Sequence, residues 1–422
     1  MKLFDIISVS WSILLVLIYL VAGLDINLVP FSCMYLLYIN TWMLILSRKN
    51  MMMLLISFIF LFCSYSIIYA NFSGNINNMF TDIIQAKTFT ISFNILTLFH
   101  ALLALFVRWA KIQSLEKINI FVDTYNANFR IILITACCLV PIFFLGFKIT
   151  GLTGDRGEGS PLYEYSVILF SVLFFFSGQK KKYIILGILL LLPYVLQNFL
   201  FGGRIEGVQF ILCAYIMLYM YKIEVNKIIP FILVGFFVLS LIGAVRGELL
   251  LGSYDVESIF SALFKGGFAL DTAYSAYFTS ETFVYVYDKM TTADIAYYLT
   301  EFIKSIFLGN SHCPDSVLGS VTYEYVSHWF GGILPFYFYF YFGPIGIFLA
   351  AFFVALYLNM IIKVKSTSSG YTKIIVVWTV CTVFRWYLYT PLVLLRGVLI
   401  TLVVFIIFKL IDSILRKKPI NA

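Results

Sequence analysis

The chain has 422 residues and a formal net charge of +8, yet only 12% of its residues are charged and 62% are hydrophobic. A soluble domain is roughly half apolar and about a quarter charged. So few charges cannot cover a water-facing surface, which excludes the two or three soluble domains this length would otherwise suggest; the mean hydropathy of +0.96 points to lipid as the solvent.

A helix crosses the hydrocarbon core of a bilayer in about 20 residues, each rising 1.5 Å. Apolar runs of that order predict spans at 6–23, 28–46, 51–70, 87–107, 130–148, 163–177, 183–200, 206–221, 228–245, 334–362, 371–388 and 396–413. The runs lack the polar/apolar alternation of a transmembrane barrel. The expected fold class is therefore an all-α polytopic membrane protein of about twelve transmembrane helices with one large extracytoplasmic loop. Residues 1–245 hold the first nine helices, 246–333 the loop, and 334–422 the last three. The first run is followed by G-L-D-I-N-L-V-P rather than a small-residue cleavage pattern, so it is expected to remain as a span.

Between the spans, N-F-S-G-N-I-N-N (71–78) reads as a polar outer turn and R-W-A-K-I-Q-S-L-E-K (108–117) as a short amphipathic surface helix. T-G-L-T-G-D-R-G-E-G-S-P (150–161) is a glycine-rich outer loop whose Pro161 opens the next span, and Q-K-K-K (179–182) is a tight basic anchor. The tenth range is too long for one straight crossing. Gly331, Gly332 and Pro335 predict a bend before it, and the pair Gly343–Pro344 predicts a kink or break within it.

Orientation follows from alternate loops. Nineteen of the 29 Lys and Arg residues fall on the side that carries both termini, and sixteen of the 21 Asp and Glu residues fall on the other. The basic side is thus expected to be cytoplasmic. The positive balance reads as an orientation signal, with no nucleic-acid partner implied. Of seven cysteines, Cys33, Cys63, Cys137, Cys138, Cys213 and Cys381 lie in expected spans and Cys313 in the loop, which gives neither a disulfide framework nor a metal-ligand spacing. His100, in the fourth span, is read as a satisfied intramembrane polar group.

The informative residues are arginines on the acidic side. Arg204 sits in F-G-G-R-I-E-G, Arg246 in A-V-R-G-E, Arg385 in F-R-W-Y-L-Y-T-P and Arg396 in L-L-R-G, each at the outer end of an expected span. A charge at membrane depth costs on the order of a few kcal/mol unless paired or hydrated. Four guanidinium groups at one face fit a shared anionic partner, because the planar fork makes two charge-assisted bonds to phosphate. The alternative is local pairing: Glu206 and Glu248 lie two residues beyond Arg204 and Arg246, whereas Arg385 and Arg396 have no acid nearby in sequence. The late loop adds His312, Asp315, Tyr323, Glu324, Tyr325 and His328. A loop carboxylate or histidine can serve as general base, although a loop histidine is more often a solvated or capping residue. No Walker-type phosphate loop occurs.

The layout, together with G-G-R-I-E-G (202–207), V-R-G-E (245–248), S-V-L-G-S-V-T-Y-E-Y (316–325) and the F-G-x-x-G turn at 342–346, resembles the O-antigen polymerase (Wzy-type, oligosaccharide repeat-unit polymerase) family over essentially the whole chain. The resemblance implies an enzyme of the bacterial inner membrane that transfers glycan between two undecaprenyl-diphosphate-linked molecules on the outer leaflet. It implies no metal or other cofactor, and a chain-length regulator as a further partner. Arg204 and Arg246 then take the diphosphate role on motif, and Arg385 and Arg396 by position. Glu206, Glu324 and His328 are the candidate bases, and Tyr323, Tyr325 and Trp329 are candidate sugar-stacking rings or, as readily, interface anchors. An O-antigen ligase shares this scaffold and arginine logic. A lipid-linked oligosaccharide flippase would instead show two related halves, which the sequence lacks.

Overall fold

A computed structural model describes residues 3–73, 86–112, 127–145, 161–178, 180–200, 204–219, 237–238, 241, 256–328, 331–365 and 367–417. The described residues are helical throughout, without a strand. Seven helices are long and apolar enough to cross a membrane: α1 (Leu3–Ala22), α2 (Val29–Ser47), α3 (Met51–Phe72), α4 (Ala86–Phe106), α8 (Lys181–Leu200), α15 (Pro344–Lys363) and α18 (Leu392–Lys417). Shorter apolar helices occupy four more of the expected ranges: α5 (Phe129–Leu145), α7 (Ser166–Phe175) preceded by the single turn α6 (Pro161–Glu164), α9 (Arg204–Tyr219), and α16 (Gly370–Cys381) continued by α17 (Val383–Leu388). The expected span at 228–245 lies almost wholly outside the described residues.

Outward faces show which solvent the fold needs. Val21, Leu145, Phe144 and Ile345 are 89%, 82%, 72% and 69% exposed. Large apolar side chains this exposed on several helices are unfavourable in water and neutral in hydrocarbon. The protein is a polytopic helical membrane protein.

Helix α4 is the hub of one half. It packs against α1, α2 and α15, and its polar residues bind those helices together. Asn94 donates to the carbonyls of Leu24 and Ile26 at 2.8 Å each, and its Oδ1 accepts from Tyr19 and Ser32 at 2.9 and 3.1 Å. One amide thus fixes the α1–α2 turn. His100, also on α4, hydrogen-bonds the Tyr387 hydroxyl through Nε2 at 3.0 Å, while its Nδ1 has no partner. On α15 the buried residues Ile347, Ala350, Ala351, Val354, Ala355, Leu358 and Ile361 recur at helical spacing, and their small members let α4 approach.

The range 334–362 divides at Gly343. Helix α14 (Leu334–Phe342) ends there, with Gly343 at φ +58, and α15 begins at Pro344. The two helices lie against each other: a Cβ on Gly346 would meet the Phe338 carbonyl oxygen, and the Phe338 and Phe353 rings are 5.8 Å apart. The chain reverses at this point, a sharper change than a bend.

The segment expected as a loop is largely helical. It contains α10 (Val256–Lys265), α11 (Asp271–Tyr287), α12 (Thr292–Leu308) and α13 (Leu318–Tyr323). Helix α11 is not among the apolar helices, yet it packs against α3, α4 and α14. Helix α12 starts with a capping box, Thr291 and Asp294 each bonding the other's backbone N–H, and ends at Gly309.

Candidate functional site

Four separate elements bring charge to one place. Helix α6 ends on Glu164, α9 carries Glu206 in its first turn, α17 carries Arg385, and α18 carries Arg396 one turn from its start. Helix α9 packs against α16 and α17, and α7 and α18 pack against α16. The Arg385 Nη1 atom is 2.9 Å from Glu164 Oε2 and 3.9 Å from Glu206 Oε1. Glu206 is buried, and the Arg385 side chain is only 15% exposed. Its Nε is buried without a hydrogen-bond partner.

The local sequence explains the placement. Pro161 suits the first turn of a helix because the missing N–H is not needed there. Glu206 sits in a first turn, where the helix dipole favours an anion. Between α6 and α7, the Tyr165 ring stacks on Trp378 at 5.7 Å and 13°. The Arg396 guanidinium lies 5.8 Å from the centre of that same Tyr165 ring. It also rests against Gly309, where a Cβ would stand 2.8 Å from Nη1. Gly309 closes α12, and the carbonyl end of a helix favours a cation. Arg396 has no carboxylate partner among the described residues.

Of the four arginines singled out in the sequence, the fold therefore gathers Arg385 and Arg396 around Tyr165. Arg204 opens α9, but its side chain lies outside the described residues, as do Arg246 and Trp329. Arg385 had no acid nearby in sequence; packing supplies two. Glu206, two residues beyond Arg204 in sequence, lies within 3.9 Å of Arg385. Glu164 was missed. Its signal was an acid in the first residues of an apolar run, three positions after the helix-opening Pro161.

The late-segment candidates form a second group. His328 is buried, its Nε2 2.9 Å from the Thr322 hydroxyl and its Nδ1 3.5 Å from that of Thr279. Burial pushes its pKa down to about 4, so the ring is neutral at pH 7. Tyr323 and Tyr325 are 46% and 47% exposed, and Glu324 is exposed beside them. Tyr325 has the Lys289 ammonium 6.0 Å from its ring. His312 is exposed, with Nδ1 3.2 Å from the Ser311 hydroxyl, and Asp315 accepts from Tyr297 at 2.7 Å. The Gly332 N–H donates to the Leu388 carbonyl at 2.9 Å, tying this segment to the helix that carries Arg385. Nearby on α11, Glu281 is buried with Oε1 unbonded, and desolvation pushes its carboxyl up to about 8. Among the described residues, no group of three or more His, Cys, Asp or Glu could hold a metal ion.

Two carboxylates sharing one guanidinium, with a second guanidinium that has no carboxylate among the described residues set against the Tyr165 ring, can bind a polar or anionic group and hold a proton acceptor beside it. Comparison with protein-family models, with curated proteins and with solved structures finds no match for this chain.

Proposed function

We propose that the chain is a membrane glycosyltransferase that joins undecaprenyl-diphosphate-linked oligosaccharide repeat units on the periplasmic face of the bacterial inner membrane, in O-antigen or capsule biosynthesis, with both termini cytoplasmic. The observation that supports this reading is the charged centre around Arg385, built from distant segments inside an apolar helical scaffold.

The chemistry asks for few parts. A hydroxyl of the acceptor unit attacks the anomeric carbon of the donor glycan, and the bond to the lipid diphosphate breaks. The electron pair leaves on the diphosphate oxygen, so cations at that oxygen lower the barrier. Arg396, without a carboxylate of its own among the described residues, fits that role, with Arg204 and Arg246 as the further diphosphate cations the motifs suggest. The hydroxyl proton passes to a carboxylate, and Glu206 and Glu164 stand beside Arg385 where such an acceptor would be oriented. His328, neutral and buried, is a weak base. Glu324 is a more exposed alternative, with Tyr323 and Tyr325 as surfaces for sugar rings. The phosphate–sugar bond stores the energy, so the reaction calls for no cofactor. A chain-length regulator protein is the expected partner.

Deleting the gene and resolving the surface glycan by size tests the proposal. The expected outcome is lipid core capped by a single repeat unit. Bare core with accumulated lipid-linked polymer would identify a ligase instead, and loss of all added sugar would identify a flippase.

A further inference from the structure

We infer that the groove at the shared end of α4 and α15 holds an anionic phospholipid, its phosphate between Arg108 and Lys363 and an acyl chain along Phe352 and Leu356. The groove encloses about 540 Å³ and is lined on one side by Phe106, Phe352 and Leu356 and at its rim by Arg108, Asn359 and Lys363. Both α4 and α15 are candidate membrane spans, ending at Phe106 and Lys363. The groove therefore lies where hydrocarbon gives way to headgroups.

Its shape follows one face of α15. Phe352, Leu356, Asn359 and Lys363 are spaced by four, three and four residues, so they form one row. From Phe352 to Lys363 the helix rises about 16 Å, close to the depth of one leaflet, roughly half of a 30 Å core. Phe352 and Leu356 are 56% and 53% exposed, so the row opens sideways to lipid. Asn359 builds the rim. Its Oδ1 accepts from the Arg108 N–H at 2.9 Å, and its Nδ2 donates to the Phe106 carbonyl at 3.1 Å. This pair of hydrogen bonds ties the end of α4 to α15 and places Arg108 in the same groove as Lys363.

Charge selects the occupant. Arg108 and Lys363 are exposed, neither has an ion-pair partner among the described residues, and no acid lines the groove. The Ser368 and Thr372 residues add hydroxyl groups to the lining. A soluble phosphate would satisfy the cations but leave the apolar row uncovered. A lipid with an anionic headgroup satisfies both, and each cation near the surface contributes roughly a fivefold preference for it.

The test is native mass spectrometry of the purified full chain, mixed with phosphatidylglycerol, phosphatidylcholine or glycerol phosphate. The native protein should retain one phosphatidylglycerol at least roughly tenfold over phosphatidylcholine, undiminished by excess glycerol phosphate. The double variant Arg108→Gln, Lys363→Gln should lose that preference while eluting as a folded monodisperse species, since both side chains are exposed. Equal retention of the two lipids by the native chain, unchanged phosphatidylglycerol retention in the double variant, or full displacement by glycerol phosphate would each overturn the assignment.

Discussion

The Glu164 carboxylate stands 2.9 Å from the Arg385 guanidinium, joining the single turn before α7 to a short helix near the far end of the chain. The pair sits where α9 packs against α17, with Glu164 reaching in from α6. Burying either charge alone would be costly, so each stabilises the other's placement. With Glu206 at 3.9 Å, the guanidinium has two anionic neighbours, and this makes Arg385 the organiser of the centre and leaves Arg396 as the cation available to a ligand.

Arg385→Ala should destabilise the protein by about 2 to 3 kcal/mol, because two carboxylates lose their counter-charge in a largely desolvated place. Thermal unfolding in detergent measures this. The double variant Arg385→Ala, Glu164→Gln should recover part of the loss, since one of the stranded carboxylates is then neutral.

Arg396→Ala should cost about 1 kcal/mol from the lost contact with the Tyr165 ring, leaving the protein folded, but shorten the surface glycan to single units. Arg396→Lys should restore it only partly, because an ammonium lacks the planar fork. Gly309→Ala approaches the same point from the other side. Gly309 has φ +91, and a Cβ there would stand 2.8 Å from Arg396 Nη1, so the guanidinium must shift. Its glycan profile should match that of Arg396→Lys.

Two buried groups give opposite pH dependences. The folded state holds His328 near 4, below its ordinary 6.5. Its unfolded form takes a proton that the folded form refuses, so stability is intact above pH 6.5 and falls as pH drops toward 4. The folded state holds Glu281 near 8, above its ordinary 4.5. Here the folded form keeps a proton that the unfolded form releases, so stability is full below pH 4.5 and falls as pH rises toward 8. Melting temperatures across pH should show His328→Gln flattening the acid limb and Glu281→Gln flattening the other.

Gly397→Ala should cost about 2 kcal/mol by overpacking. A Cβ there would overlap the Trp378 indole, which is buried, donates to the Val393 carbonyl at 3.3 Å and stacks on Tyr165. A drop in melting temperature with quenched or shifted tryptophan emission is the expected signature.

Much of the scaffold was legible because hydrophobic run length and helix caps end together. The run expected at 51–70 is α3, Met51–Phe72, and Asn50 caps it by accepting from the N–H groups of Met52 and Met53. The break at Gly343–Pro344 was legible because proline cannot continue a helix and glycine alone takes φ +58 without strain. Helix α11 was not. Its T-S-E-T stretch reads as solvated, but Thr279, Ser280 and Thr282 donate to the carbonyls of Ser275, Ala276 and Thr279, and hydroxyls satisfied in this way can be buried. The pairing of Arg385 with Glu164 was also hidden, because it depends on helix packing and not on spacing along the chain.

The most direct measurement reconstitutes the purified chain with an undecaprenyl-diphosphate-linked repeat unit and resolves the products by length. The account predicts a ladder of elongated lipid-linked glycans with release of undecaprenyl diphosphate, lost in Arg396→Ala although that variant remains folded. A native chain that binds the substrate yet never lengthens it, or an Arg396→Ala variant that builds the same ladder, would contradict it.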